Sequence, residues 1–308
     1  MKKLLLILLC LPFIGFGQIT TKKVADKNND YLFTPYDSTL NFLKENYKGY
    51  IGQKLYTKGK SESLREGSYD RFFIDYKKSL TSKSNRYKCC DQYYSKYNEL
   101  VGKYFIVLDA FEYSKRDEKN IFLKLEEEES GDIVYYNYDN RYYFYFDFIV
   151  TGYFLKQKEN YLDKEFIIRG KSWVSKDEPM IDMNTGKIVD FSAGSKWKCV
   201  DLTIEEKYYS LSLILENRLN EQIFCDLLYL NSEHYLFTLE NAEKYKNKFG
   251  EEKWKKIIEG KISIGFTEEM VLIAFGKPKE INKSTDNDQW VYENQFLYFE
   301  DGILTYFN

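Results

Sequence analysis

"IVYYNYDNRYYFYFDFIV", Ile133 to Val150, alternates on both sides of Asp139-Asn140. Alternation with a period of two marks half-buried strands, and Asn and Asp tolerate the positive φ of a tight turn. The stretch therefore predicts a hairpin. On its second arm Tyr142, Phe144, Phe146, Phe148 and Val150 share one face, which reads as core. Tyr143, Tyr145, Asp147 and Ile149 lie on the other.

A short phrase recurs on either side of this hairpin: "YIGQKLY" at Tyr50, "LVGKYFIV" at Leu100, "YLDKEFII" at Tyr161 and, more loosely, "GSKWKCVDL" at Gly194. Each joins a turn residue to a Gln or Lys and then to alternating apolar positions, the pattern of a turn that starts a strand. Unequal spacing excludes a solenoid. The phrases read as opening strands of successive small antiparallel β-modules, of the kind of SH3-like barrels. "KWKCVDLTIEEKYYSLSLILENRLNEQIFCDLLYL" continues as a three-stranded meander with turns near Glu205-Glu206 and Asn217 to Asn220. Composition agrees with sheet: 29 Tyr and 23 Phe against four Pro, residues that suit or spare a pleated, half-buried surface. The aromatics also offer stacking platforms for sugars or peptides.

The pattern changes at Thr238. "TLENAEKYKNKFGEEKWKKIIEGK" is charged and helical, with Gly250 dividing two short helices and Gly260 ending the second. Trp254, Ile257 and Ile258 fall on one helical face. In "IGFTEEMVLIAFGKPKEI" (Ile264 to Ile281), Thr267 is placed as an N-cap, with Glu268 and Glu269 at the positive end of the helix dipole. Phe266 and Val271 can close as a hydrophobic staple, Gly276 supplies the residue after the C-cap, and Pro278 forbids continuation. "QWVYE", "FLYFE" and "ILTYF" then read as three strands, the last two joined by the hairpin pair Asp301-Gly302. The tail predicts two helices on a three-stranded antiparallel sheet.

Gly265, Thr267, Glu269, Val271, Gly276, Pro278, Trp290, Tyr292, Phe299, Gly302 and Leu304 carry a resemblance to the SmpA/OmlA (BamE-like) family of outer-membrane assembly lipoproteins. It covers roughly Glu251 to Asn308, and the matched residues are caps, turns and core. The same layer resembles the repeats of the β-lactamase inhibitor protein. Both resemblances imply a sheet used as an interaction surface and no reaction. Trp290, Tyr292 and Tyr298 are the aromatic candidates for contact with a protein or envelope component. The chain departs from the family in placing some two hundred β-rich residues ahead of the tail.

The N-terminus, MKKLLLILLCLPFIGFGQ, reads as a secretory signal peptide over residues 1–17: Lys2 and Lys3, an apolar run from Leu4 to Ile14, then Gly15-Phe16-Gly17. Cys10 follows Leu9 inside that run, where a lipoprotein peptidase needs a small residue, which argues against a lipid anchor. No later stretch approaches the roughly 18 apolar residues of a transmembrane helix. Residues 18–38 read as a linker or edge segment, 39–236 as two or more β-modules, and 237–308 as the BamE-like tail. Loss of Lys2 and Lys3 with the signal takes the formal charge from −3 to −5. Lysines are scattered among acids, so no basic stripe suits nucleic acid.

Chemistry is sparsely signalled. Cys89, Cys90, Cys199 and Cys225 remain after cleavage and can pair in three ways in an oxidising compartment. The Cys89–Cys90 pairing ranks last because its ring is strained. Zinc on Cys199, Cys225 and His234 lacks a C-x2-C element. His234 is the only histidine, and no nucleophile elbow, H-E-x-x-H or P-loop accompanies it. Glu126 to Glu129 read as a solvated hairpin tip. Asp182 to Asp190 ("DMNTGKIVD") read as a tight turn at Asn184-Thr-Gly186, one residue short of an EF-hand loop. The expectation is an exported, periplasmic or outer-membrane-associated binding or scaffolding protein, without cofactor or metal. The competing class is a secreted hydrolase that uses paired carboxylates on polysaccharide or peptidoglycan.

Overall fold

Gly52, Gly102, Asp163 and Gly194, the turn residues of the recurring phrase, all take positive φ, at 81°, 77°, 64° and 83°. Gly does so without a Cβ penalty and Asp tolerates it. A strand starts two residues after each in the computed structural model, which describes residues 35–308 apart from 68, 92, 116–117, 171–178, 206–208, 228–235 and 285–286. The expected signal peptide, most of the expected 18–38 linker, Glu206 and His234 lie outside the described residues.

The strands of the first region are β1 (Lys54–Thr57), β2 (Phe72–Phe73), β3 (Cys89–Asp91), β4 (Tyr94–Ser95), β5 (Tyr104–Lys115), β6 (Glu118–Glu127), β7 (Ile133–Tyr138) and β8 (Phe148–Val150). The second has β9 (Glu165–Ile168), β10 (Lys196–Ile204), β11 (Leu211–Glu216), β12 (Gln222–Asp226) and β13 (Leu236–Thr238). The phrases do not open four separate modules. They pair two by two: β1 with β5, where Leu55 faces Phe105, and β9 with β10, where Phe166 faces Trp197. The turn residue of each phrase donates its N–H across the pair. Gly52 reaches Val107 O and Gly102 reaches Thr57 O; Asp163 reaches Cys199 O and Gly194 reaches Ile168 O. One local solution thus nucleates two antiparallel sheets.

The first sheet has the order β2-β7-β6-β5-β1-β8 and the second β12-β11-β10-β9-β13; β3 and β4 form a separate hairpin. Ile133 to Val150 is therefore not a hairpin, because β7 pairs with β6 and β2 whereas β8 pairs with β1. The sheet curls enough for Tyr136 of β7 and Phe148 of β8 to meet inside it, ring centroids 4.9 Å apart. Side chains make this connection in place of a ladder. Tyr136 Oη accepts the Asp147 N–H at 3.1 Å and lies 2.7 Å from Tyr145 O. The free edge of β8 is closed by a side chain too. The Asn41 carboxamide donates to Phe148 O at 3.0 Å and accepts from Val150 N at 2.8 Å, as a neighbouring strand would.

Between the two sheets, the helix Thr151–Tyr161 sets Tyr153 against both cores and Phe154 and Tyr161 against the second. Strand alternation gives the second sheet two buried faces. Phe166, Ile168 and Leu236 enter its own core, while Ile167 and Phe237 enter a third. That third core also receives Trp254 and Ile257 of the helix Glu251–Ile258 and Val271 and Ala274 of the helix Glu268–Phe275. Its remaining wall is the meander β14 (Glu280–Lys283), β15 (Asp288–Val291), β16 (Phe296–Glu300) and β17 (Ile303–Phe307). The tail thus has four strands where three were expected, since β14 is exposed at every residue and shows no apolar alternation. The helices Leu239–Phe249 and Glu251–Ile258 are the two short helices expected on either side of Gly250.

The caps act as their sequence implies. Thr267 Oγ1 accepts from Met270 N at 3.3 Å, Gly276 has φ 84° and donates to Leu272 O, and Asp301 and Gly302 both take positive φ in the last turn. Thr267→Ala is expected to lower stability by about 1 kcal/mol, read as a shift in the urea midpoint at unchanged slope.

Candidate functional site

Asp147 is a lone carboxylate in a run of aromatic and branched residues, and it is 2% exposed. A buried carboxylate needs partners. Lys60 Nζ meets its Oδ1 at 2.7 Å, and Tyr136 Oη lies 3.2 Å from its Oδ2. Burial pushes its carboxyl up from the usual aspartate range, against the pull of Lys60. The backbone joins in, with Lys58 N donating to Asp147 O at 3.0 Å.

These residues floor a cleft of about 570 Å³ between the first and second sheets. Asn41, Asp147 and Ile149 line it from the first region, and Leu211 and Asp226 of the second sheet, with their neighbours Ser210 and Leu227, from the second. Lys58 to Ser61, Asp70 and Arg71 form one wall, and Tyr143, Phe144 and Tyr145 stand at the rim. The volume lies within the roughly 300–1,000 Å³ of pockets that enclose a small ligand. Tyr209 closes one end. A Cβ on Gly59 would lie 2.0 Å from the Tyr209 ring, so glycine is what allows the ring to sit there. Arg65 holds it from outside, Nη2 donating to Tyr209 Oη at 2.6 Å.

The rim follows from a break in the predicted strand. Tyr143–Tyr145 is a single 3-10 turn, so the alternation of the second arm starts only at Phe146. Phe146, Phe148 and Val150 are core as expected, whereas Tyr142 and Phe144 are 56% and 72% exposed. Two cations lie over rim tyrosines: Lys58 Nζ 5.1 Å from the Tyr143 centroid and the Arg71 guanidinium 4.7 Å from Tyr145. Burial pushes the Lys58 amine down, with Asp147 opposing. The run of aromatics was visible in the sequence as strand. Their convergence with Lys58 and Lys60, some 80 residues earlier, depends on sheet order.

The sequence candidates lie elsewhere. Trp290 is 3% exposed, packed at 4.6 Å against Phe299 in the third core, which corrects its assignment to a binding surface. Tyr292 is half-buried and its hydroxyl donates to Gly276 O at 2.6 Å. Tyr298 points to the opposite face from Trp290, half-buried beside the exposed Tyr306 and accepting from Gln289 Nε2 at 2.8 Å. The three do not form one surface.

Cys89 and Cys90 are disulfide-bonded to each other, the pairing ranked last by ring strain. Cys199 and Cys225 are free and buried, which corrects their assignment as candidate disulfide cysteines. They sit on β10 and β12 with β11 between, on the order of 10 Å apart, beyond the about 7 Å reach of a disulfide. Burial pushes both thiols up, to about 11 and about 12. Both are expected to resist Ellman's reagent at pH 8 in the folded protein and to react after unfolding. Modification of either in the native state, mapped by mass spectrometry, would contradict this packing.

Two acidic features serve shape. Glu128 and Glu129 are exposed at the tip as expected, but Glu127 is 3% exposed and accepts from Ser130 N and Glu129 N, so a buried carboxylate ties the tip. Asp182 caps its own turn through Thr185 and fixes Gln222 N at 2.9 Å, with Gly186 at φ 69°. Among the described residues no group of three or more His, Cys, Asp or Glu is placed to hold a metal ion, and no helix is long and apolar enough to cross a membrane.

Comparison of the chain with protein-family models, with curated proteins and with solved structures finds no match. Function must be read from the cleft and the sequence.

Proposed function

We propose that this chain is an exported, non-catalytic binding protein of the cell envelope that holds a ligand in the cleft between its first two sheets. The observation that carries the proposal is the cleft itself: about 570 Å³, an aromatic rim, and charged groups placed inside. Such convergence of apolar wall and a few oriented polar groups is the usual form of a ligand site. The signal-like N-terminus supports export. The curl of the first sheet is consistent with a small SH3-like barrel. The capped Glu268–Phe275 helix and the meander after it support a BamE-like tail that offers its outer sheet face, Tyr298 and Tyr306, to a protein or envelope component.

A second reading, a hydrolase, draws on Asp70, Asp147 and Asp226, which line the same cleft. Asp147 is poorly suited to acid–base work because both its oxygens face donors. Retention of the purified protein on insoluble polysaccharide and on peptidoglycan tests both readings. Binding without released product, weakened by Phe144→Ala, is expected. Retention indifferent to Phe144→Ala would remove the cleft from the function. Soluble product that Asp70→Asn abolishes would make the protein a hydrolase.

A further inference from the structure

The charges of the cleft can be followed one by one. Asp147 faces Lys60. Arg71 lies 3.7 Å from Asp70 and 3.9 Å from Asp139, and donates to Asn137 O. Lys58 differs. Its ammonium lies over the Tyr143 ring, and among the described residues no carboxylate comes within ion-pair distance of it. A half-buried ammonium with no carboxylate in direct contact is a group that a ligand can complete.

Resting on the binding function proposed above, we infer that the cleft takes an acidic saccharide, its carboxylate seated on Lys58 and a sugar ring packed against the rim formed by Tyr143, Phe144 and Tyr145. Three features favour this chemistry over others. Lys58, Lys60 and Arg71 share the lining with Asp70, Asp147 and Asp226, so the formal charge of the wall is balanced. A phosphate dianion would meet three carboxylates as well as three cations, whereas a single carboxylate needs only the one open ammonium. The Asp70 side chain is 49% exposed and, with Ser61 and Ser210, offers acceptors to the hydroxyls of a polyol. Phe144, at 72% exposure, presents an aromatic face against which the C–H bonds of a pyranose can pack.

A peptide fits less well. Peptides bound in extended form add a strand to a free sheet edge, and the edge that floors this cleft, β8, is already taken by the Asn41 carboxamide. A peptide would have side-chain contacts alone.

Calorimetric titration of the full chain with three probes tests this: a uronic-acid trisaccharide, its carboxyl-reduced neutral counterpart, and trialanine. The acidic trisaccharide is expected to bind about tenfold or more tighter than the reduced one, the worth of one charge-assisted hydrogen bond. Lys58→Met should erase that difference, in a variant whose denaturant-unfolding transition matches that of the parent and so shows it to be folded. Lys58→Arg should keep the preference, and Phe144→Ala should weaken both sugars. Equal binding of the two sugars, or a preference that survives Lys58→Met, would overturn the assignment of Lys58. If the neutral sugar binds and Phe144→Ala weakens it, the cleft still functions and only its acidic specificity is lost. Binding of trialanine in place of either sugar would make the site a peptide site. Failure of all three to bind would refute the saccharide, and with the retention experiment negative as well, the cleft.

Discussion

Asp147→Ala is expected to destabilise the protein by about 3–5 kcal/mol, the cost of breaking a buried ion pair from one side. The mutation removes the carboxylate that Lys60 meets at 2.7 Å and the oxygen beside Tyr136 Oη, in a place where the Asp147 side chain is 3% exposed and that of Lys60 21%. The effect should be read by denaturant unfolding at neutral pH. An ion pair of this kind holds its place without being the most stable choice, because hydrophobic replacements of similar volume can match it. The double variant Lys60→Met with Asp147→Leu should therefore recover much of the loss. If Asp147→Ala costs under about 0.5 kcal/mol, within the range of an ordinary surface change, the cleft floor is not organised as described.

Trp290→Ala should have an effect of similar size, about 3–5 kcal/mol, through the lost transfer energy of a large aromatic and the cavity left behind. Trp290 packs against Phe299, in a core shared with Trp254, Ile257, Val271 and Leu297. Tyr306→Ala, on the outer face and 57% exposed, should stay within about 0.5 kcal/mol. The contrast separates shape from recognition. A Trp290 variant that folds normally but loses a binding partner would return that residue to the surface role its aromatic character suggested.

Much of this molecule was legible before any coordinates, for one kind of reason. Gly52, Gly102, Asp163 and Gly194 mark strand starts because few residues accept positive φ. Thr267, Gly276 and the Asp301-Gly302 pair mark the ends of a helix and a hairpin because each satisfies or frees specific backbone groups. These are contacts within a few residues, and short-range sterics and hydrogen bonding are written in the order of the chain. Alternation likewise placed Phe148 and Val150 of β8 in one core, while Ile149 between them is buried in the second.

The errors have a common origin too. Ile133 to Val150 alternates like a hairpin, yet its arms lie in different parts of one sheet. Alternation reports that each arm has a buried face and is silent on which strand lies beside it. Trp290 looked like a binding residue because aromatics serve cores and surfaces equally, and only register puts it on the inner face with Leu297 opposite. Glu127 looked solvated because its burial depends on backbone donors from a turn that closes over it.

The sequence by itself determined that the chain is rich in antiparallel sheet, where the four strands of the recurring phrase begin, and how its last helix is bounded. Tertiary structure alone decided that the recurring phrases pair two by two, that Asn41 closes the edge of β8, and that Lys58, Asp147, Phe144 and Tyr209 surround one cleft. Local turns depend on neighbours in the chain, which a sequence states directly. A site drawn from residues as far apart in the chain as Asn41 and Leu227 depends on sheet order and curl, which arise only when the whole set of apolar faces is buried together.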